Sequence, residues 1–315
     1  MSHSFQRRSG GPYPSNSAGF GGLPTNTTDV PICAVFTFLY LCFAVTNSTM
    51  FRLNRRKNHK FVISMFLTGF CMARVVTLVL RIVWANRQHN IRLAIAANIF
   101  VNAGILIIYI INLILAQRIL RGKQPRIGWH PVVRISYKIL YCSIGAALAM
   151  VITSVVVSLY TQNTHTRSIC RDIQLTTLTY LLFFTCLPLV HLAAAYLLPK
   201  SEEETFGQGG MVSKTIVLAM SSSLSLLITG FKAGGVWSPP RPATNPRWYD
   251  SKACFYVFNF TLEICILCIM VFGRIDQRFY VPDGCNRAGD YTRLQKQAEV
   301  VSAGKSDDLK ERGEL

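Results

Sequence analysis

Charge is scarce in this chain, and acid is scarcer than base. Charged residues make up only 15% of it, with 15 Asp and Glu against 33 Lys and Arg. No Ser/His/Asp set, no HxxxH metal pair and no paired carboxylates appear, so the chain reads as not an enzyme. Its ten cysteines form no metal-like CxxC array. Cys265 and Cys268, separated by two residues, lie in an apolar run without other soft ligands, so neither a metal nor a cofactor is expected. The first thirty residues are polar and rich in Gly, Pro, Ser and Asn, without the apolar core of a cleavable signal. No internal repeat is visible.

What the sequence does have is length of apolar run. Seven such segments, at about 31–51, 60–84, 92–116, 136–160, 173–198, 211–231 and 253–273, are separated by charged or Gly/Pro-rich stretches. A hydrocarbon core of about 30 Å is crossed by roughly 20 helical residues. Unpaired backbone groups are so costly in lipid that each crossing must be a helix. The expected fold is an all-α, polytopic seven-transmembrane-helix bundle over 31–273. It would carry a disordered extracytoplasmic tail (1–30) and a largely disordered cytosolic tail (274–315).

The basic residues gather on one side of this layout. The loop after the first span holds Arg52, Arg55, Arg56, Lys57 and Lys60, and that after the third holds Arg118, Arg121, Lys123, Arg126 and Arg134. The positive-inside rule then puts the N-terminus outside and the C-terminus in the cytosol. A net charge of +18 would ordinarily raise nucleic acid as a partner. Its placement in alternate loops points instead to anionic lipid heads, and no nucleic-acid binding is expected. All four tryptophans fall at span ends or in loops, as an aromatic belt requires. An integral membrane location follows, with the plasma membrane favoured over internal membranes.

Polar residues at bilayer depth are the main functional clue, because charge there is expensive. Glu263 is the one acid inside a predicted span, about 15 Å deep at 1.5 Å per residue. Asn259 lies one turn earlier. Span two carries Arg74 and Arg81 on one face, and span three carries Asn98 and Asn102 one turn apart. Arg74, Asn98, Asn102, Asn259 and Glu263 can therefore meet. They form either an outward-facing ligand pocket or a structural pair fixing helices two, three and seven. Span six shows a small polar face, Ser221, Ser222, Ser223 and Ser225, suited to close packing or to lining a solute path. His191, beside Pro188, reads as a satisfied interfacial histidine. Cys170 and Cys254, at outer span ends, are a candidate disulfide, with Cys33 as competing partner. Asn26-Thr27-Thr28 is a glycosylation acceptor sequence on the outer side.

Seven spans with the N-terminus outside match the layout of G-protein-coupled receptors, but the rhodopsin-type motifs are missing. Arg118 follows Ala116-Gln117 without an acidic neighbour, span six has no proline and span seven no Asn-Pro-x-x-Tyr. The stretches SKACFYVFNFTLEI (251–264) and RIDQRFYVPDGCNRAGDYTR (274–293) resemble an uncharacterised fungal family of seven-span proteins labelled "family C-like G-protein-coupled receptor", a likeness covering most of 31–293. The resemblance implies a receptor-like membrane protein in which segments 117–135 and 274–293 would meet a cytosolic transducer. A more distant likeness is to fungal lipid-translocating exporter proteins. The expected function is ligand sensing through the helix 2/3/7 polar cluster; the alternatives are a lipid or amphiphile transporter and a structural membrane organiser without ligand.

Overall fold

The computed structural model describes residues 11–13, 19–56, 61–199, 203–242, 244–282, 284–295 and 297. Among these, seven helical segments are long and apolar enough to cross a membrane: Asp29–Arg56, Val62–Asn86, Ile91–Lys123, Pro131–Tyr160, Thr164–Leu197, Met211–Trp237 and Lys252–Phe272. No strand occurs among them. Spans one, two, four, five and six are single helices, α1 (Asp29–Arg56), α2 (Val62–Asn86), α6 (Pro131–Tyr160), α7 (Thr164–Leu197) and α8 (Met211–Trp237). An odd number of crossings leaves the two ends of the bundle on opposite faces, called here the N-terminal face and the C-terminal face.

Most helices run beyond the apolar run that marks them. Span five starts at Thr164, nine residues before the apolar run at 173, because the Asn163 side chain caps it by accepting from the His165 N–H at 2.9 Å. His130 does the same for α6, with Pro131 in the first turn. The polar first turns of α7 carry no hydropathy signal, yet the capped helix continues through them.

Spans three and seven are interrupted. Span three is α3 (Ile91–Gly104) and α4 (Leu106–Lys123), broken at Ile105, whose N–H bonds to Ala103 instead of Val101, and the short helix α5 (Pro125–Gly128) follows it. Span seven is α9 (Lys252–Tyr256), a five-residue π-helical turn (Val257–Thr261) and α10 (Leu262–Phe272). Such wide turns inside helices occur frequently at functional sites. Span three is the central helix, packed against α2, α7 and α8, whereas α6 lies at the periphery.

Two segments expected as tails are built into the bundle. Residues 19–28 lie across the N-terminal face: Phe20 packs on Phe231 and Phe255, the Gly21 N–H bonds to Asp250 and Gln88 donates to the Pro24 carbonyl. Residues 274–295 fold onto the C-terminal face around a short helix α11 (Ile275–Arg278). Glu204 accepts from the Gly289 and Tyr291 N–H groups at 2.7 and 3.1 Å, and Arg118 donates to the Phe279 carbonyl. Gly207 packs so closely under Arg278 that a Cβ there would stand 2.2 Å from its carbonyl oxygen. The disordered character expected of residues 1–10 and 298–315 falls outside the described residues.

Candidate functional site: a two-tier polar core between spans one, two and seven

Arg74 and Glu263 do form an ion pair, and neither has exposed surface. The guanidinium approaches side-on: Nε donates to Oε2 at 2.6 Å, and Nη2 donates to Oε1. Such a two-pronged contact suits a planar guanidinium far better than a lysine ammonium. The third nitrogen, Nη1, donates to the Val101 carbonyl at 2.8 Å and to Phe100 at 3.3 Å. Val101 is free to accept because of the helix break at Ile105. Gly104 makes room, since a Cβ there would stand 3.1 Å from Arg74 Cζ. Phe70 and Phe260 flank the cation, 5.4 and 5.7 Å from its carbon. Tyr40 of α1 completes the group by donating to Glu263 Oε2 at 3.1 Å.

A second tier stands above the first, toward the N-terminal face. Asp29, fully buried at the start of α1, accepts from Arg81 Nη2 at 2.9 Å, from the Tyr256 hydroxyl at 2.6 Å and from Lys252 Nζ at 2.6 Å. Arg81 also donates to the Gly21 carbonyl at 3.1 Å and lies 4.0 Å from the centre of the Phe255 ring. The tiers arise from helical spacing. Arg74 and Arg81 are seven residues apart on α2, and Tyr256 and Glu263 are seven apart on span seven. Two turns at 1.5 Å per residue separate the tiers by about 10 Å. Arg81 sits near the end of span two, and Asp29 lies before the apolar run that marks span one. Only the spacing of Asp29 and Cys33 on one face of span one could have pointed inward.

The amides do not all join. Asn259 is fully buried one turn from Glu263, and its Nδ2 donates to the Phe255 carbonyl at 3.0 Å. Its Oδ1 is buried with no hydrogen-bond partner. Asn98 and Asn102 are exposed on the outside of span three; Asn102 merely caps back onto the Asn98 carbonyl at 3.1 Å. The 100° step per residue turns them away from the Val101 and Gly104 face that meets Arg74. The expected outward-facing pocket is thus a closed core overlain by residues 19–28. Near it, Lys232 of α8 has a buried Nζ without a hydrogen-bond partner.

Span six's serine face is used for packing. Ser221 donates to Asn112 Oδ1 at 2.8 Å, Asn112 Nδ2 donates to Ser225 at 3.0 Å, and Thr229 donates to the Tyr109 hydroxyl at 2.6 Å. Asn112, a lone amide within an apolar run, is their buried partner. His191 bonds to the Leu187 carbonyl and stacks on Tyr137, in line with a satisfied histidine. Cys170 and Cys254 are both free thiols, as is Cys33, so the candidate disulfide is not formed. Cys170 is buried inside the extended first turns of α7, and the Cys254 thiol sits against the Trp248 carbonyl. Asn26 is exposed beside the N-terminal face. Among the described residues no three His, Cys, Asp or Glu side chains group to hold a metal ion.

Fold and core together define an all-α integral membrane protein of seven helices with a charge-paired centre. Residues 210–280, spanning α8, span seven and the start of the C-terminal segment, match the profile of a family described as "Protein of unknown function (DUF3112)". No curated protein and no solved structure matches the chain.

Proposed function

We propose that the chain is a receptor-like membrane protein in which the Arg74–Glu263 tier is the lock of a two-state helix bundle. The observation that carries this reading is the position of the pair. It joins the break in span three to the π-helical turn in span seven, the two places where backbone geometry can change most readily. A scaffold alone would be served as well by apolar side chains, since a buried ion pair adds little net stability over them.

In this reading the N-terminus is extracytoplasmic, as the basic loops after spans one and three indicate. The segment 19–28 latches the upper tier, and a ligand acts by binding the unlatched arrangement more tightly. The response emerges at 117–135 and 274–293, which meet through Arg118–Phe279 and the Trp129–Tyr291 ring contact. The resemblance of 251–264 and 274–293 to the "family C-like G-protein-coupled receptor" family supports the same reading. A transport path along span six is less well supported, because Ser221 and Ser225 are committed to Asn112.

The test uses spin labels at Ile135 and Val212, both exposed at the C-terminal face, in the full chain reconstituted in lipid nanodiscs. Glu263→Gln is expected to add a second distance population to that of the unsubstituted protein. A single unchanged distance, with only lower stability, would reduce the pair to scaffolding.

A further inference from the structure

At the C-terminal face, residues of the last turns of α1, the end of α10 and the segment that follows it line a cavity of about 590 Å³. Part of its lining is apolar, Leu53, Val271 and Phe272, and Leu53 and Phe272 are exposed in the described chain. The lining also holds polar side chains, among them Asn54, Arg274 and Asp276. Two membrane-crossing helices end here, so the cavity lies at the level where hydrocarbon gives way to lipid headgroups.

The polar part of the lining is unusual in its charges. Asp276 is buried, and its Oδ2 accepts from Asn54 Nδ2 at 3.0 Å. Its Oδ1 accepts no hydrogen bond among the described residues, and Arg274 Nε stands 3.7 Å away, too far to serve as donor. The Arg274 guanidinium is 55% exposed on a residue with the left-handed φ of 47°. A buried carboxylate oxygen lacking its donor and an exposed guanidinium therefore stand side by side.

We propose that this cavity binds the headgroup of a membrane phospholipid bearing a primary ammonium. The phosphate takes the Arg274 guanidinium, and as Arg274 turns to it the ammonium donates to Asp276 Oδ1. An acyl chain runs along Leu53, Val271 and Phe272. The electrostatics choose the headgroup. A quaternary ammonium has no N–H to give Oδ1, and a glycerol head offers it only a neutral hydroxyl, a weaker donor to a carboxylate than an ammonium.

The experiment is native mass spectrometry of the full chain in detergent, titrated separately with dioleoyl phosphatidylethanolamine, phosphatidylcholine and phosphatidylglycerol. The ethanolamine lipid is expected to bind about tenfold more tightly than the other two, the value of one hydrogen bond to a charged group. Asp276→Asn should bring the three lipids level. Arg274→Gly, which suits the left-handed backbone, should weaken all three. Leu53→Trp fills the apolar part of the lining without touching either charge, and should exclude the ethanolamine lipid even if Asp276→Asn fails to fold. Equal binding of the three lipids by the unsubstituted chain would overturn the proposal. So would an ethanolamine preference that survives Leu53→Trp.

Discussion

Tyr40 and Arg74 hold the Glu263 carboxylate from opposite helices, the phenol from α1 at 3.1 Å and the guanidinium from α2 at 2.6 Å, both on Oε2. The same two helices hold the upper tier, where Asp29 of α1 receives Arg81 of α2 and Tyr256 of span seven. Spans one, two and seven are thereby fastened twice, at two depths, by polar groups that lipid could not satisfy. Each fastening makes a specific prediction.

Gly104 is predicted to be intolerant of any side chain. A Cβ at 3.1 Å from Arg74 Cζ has only a pinned guanidinium to displace. Gly104→Ala should cost about 1–3 kcal/mol, the usual range for overpacking. Unfolding by SDS in mixed micelles measures it. A change well under the lower figure would mean that Arg74 is held loosely.

Asp29→Asn should unlatch the N-terminal segment. Arg81, almost fully buried, would lose its carboxylate, and breaking such a pair costs about 3–5 kcal/mol. Hydrogen exchange should accelerate at the Gly21 and Thr25 amides, which bond to Asp250 and to Asp29 itself. Unchanged protection at both amides would separate the strap from the upper tier.

Lys232→Met should stabilise the protein. The buried Nζ makes no hydrogen bond, so removing it relieves a desolvation penalty of about 1–3 kcal/mol while the thioether fills similar volume. Thermal denaturation of the purified variant reads the direction. A lower melting temperature would show that the ammonium is satisfied in the membrane.

The fold of residues 284–295 should loosen in acid. Hydrogen bonds from the Asn286 and Arg287 N–H groups, both at 2.9 Å, hold the Asp290 carboxyl below the usual carboxylate range. A folded-state value below the unfolded one adds stability above the unfolded value, and that stability disappears as pH falls through the folded one. Protection at the Asn286 and Arg287 amides, corrected for intrinsic exchange, should therefore drop in acid. Asp290→Asn should abolish that pH dependence, and its persistence would assign it to another group.

The seven crossings were legible because apolar length alone defines them, and Arg74 and Glu263 were legible because lipid makes isolated charge so costly. Other parts left no such mark. The tyrosines at 40 and 256 look apolar in sequence, and their hydroxyl partners lie about two hundred residues away along the chain. Asp29 sits just before the apolar run, where an acid normally meets water. Asn98 and Asn102 share the depth of Arg74, but the rotation of span three about its axis, set by tertiary packing, turns them outward. The break at Ile105 is equally silent, since nothing in Gly104-Ile105-Leu106 forbids a continuous helix. The ordered C-terminal segment reads as polar tail because its anchors, Glu204 and Gly207, come from a different loop.

The central claim, that Arg74 and Glu263 act as one unit in a closed core, is tested most directly by a double-mutant cycle on unfolding free energy in mixed micelles. Arg74→Met and Glu263→Leu should each cost about 3–5 kcal/mol by stranding the other charge, while the double variant should cost far less than their sum. Additive losses would contradict the account, because they would mean that the two side chains are neutralised separately.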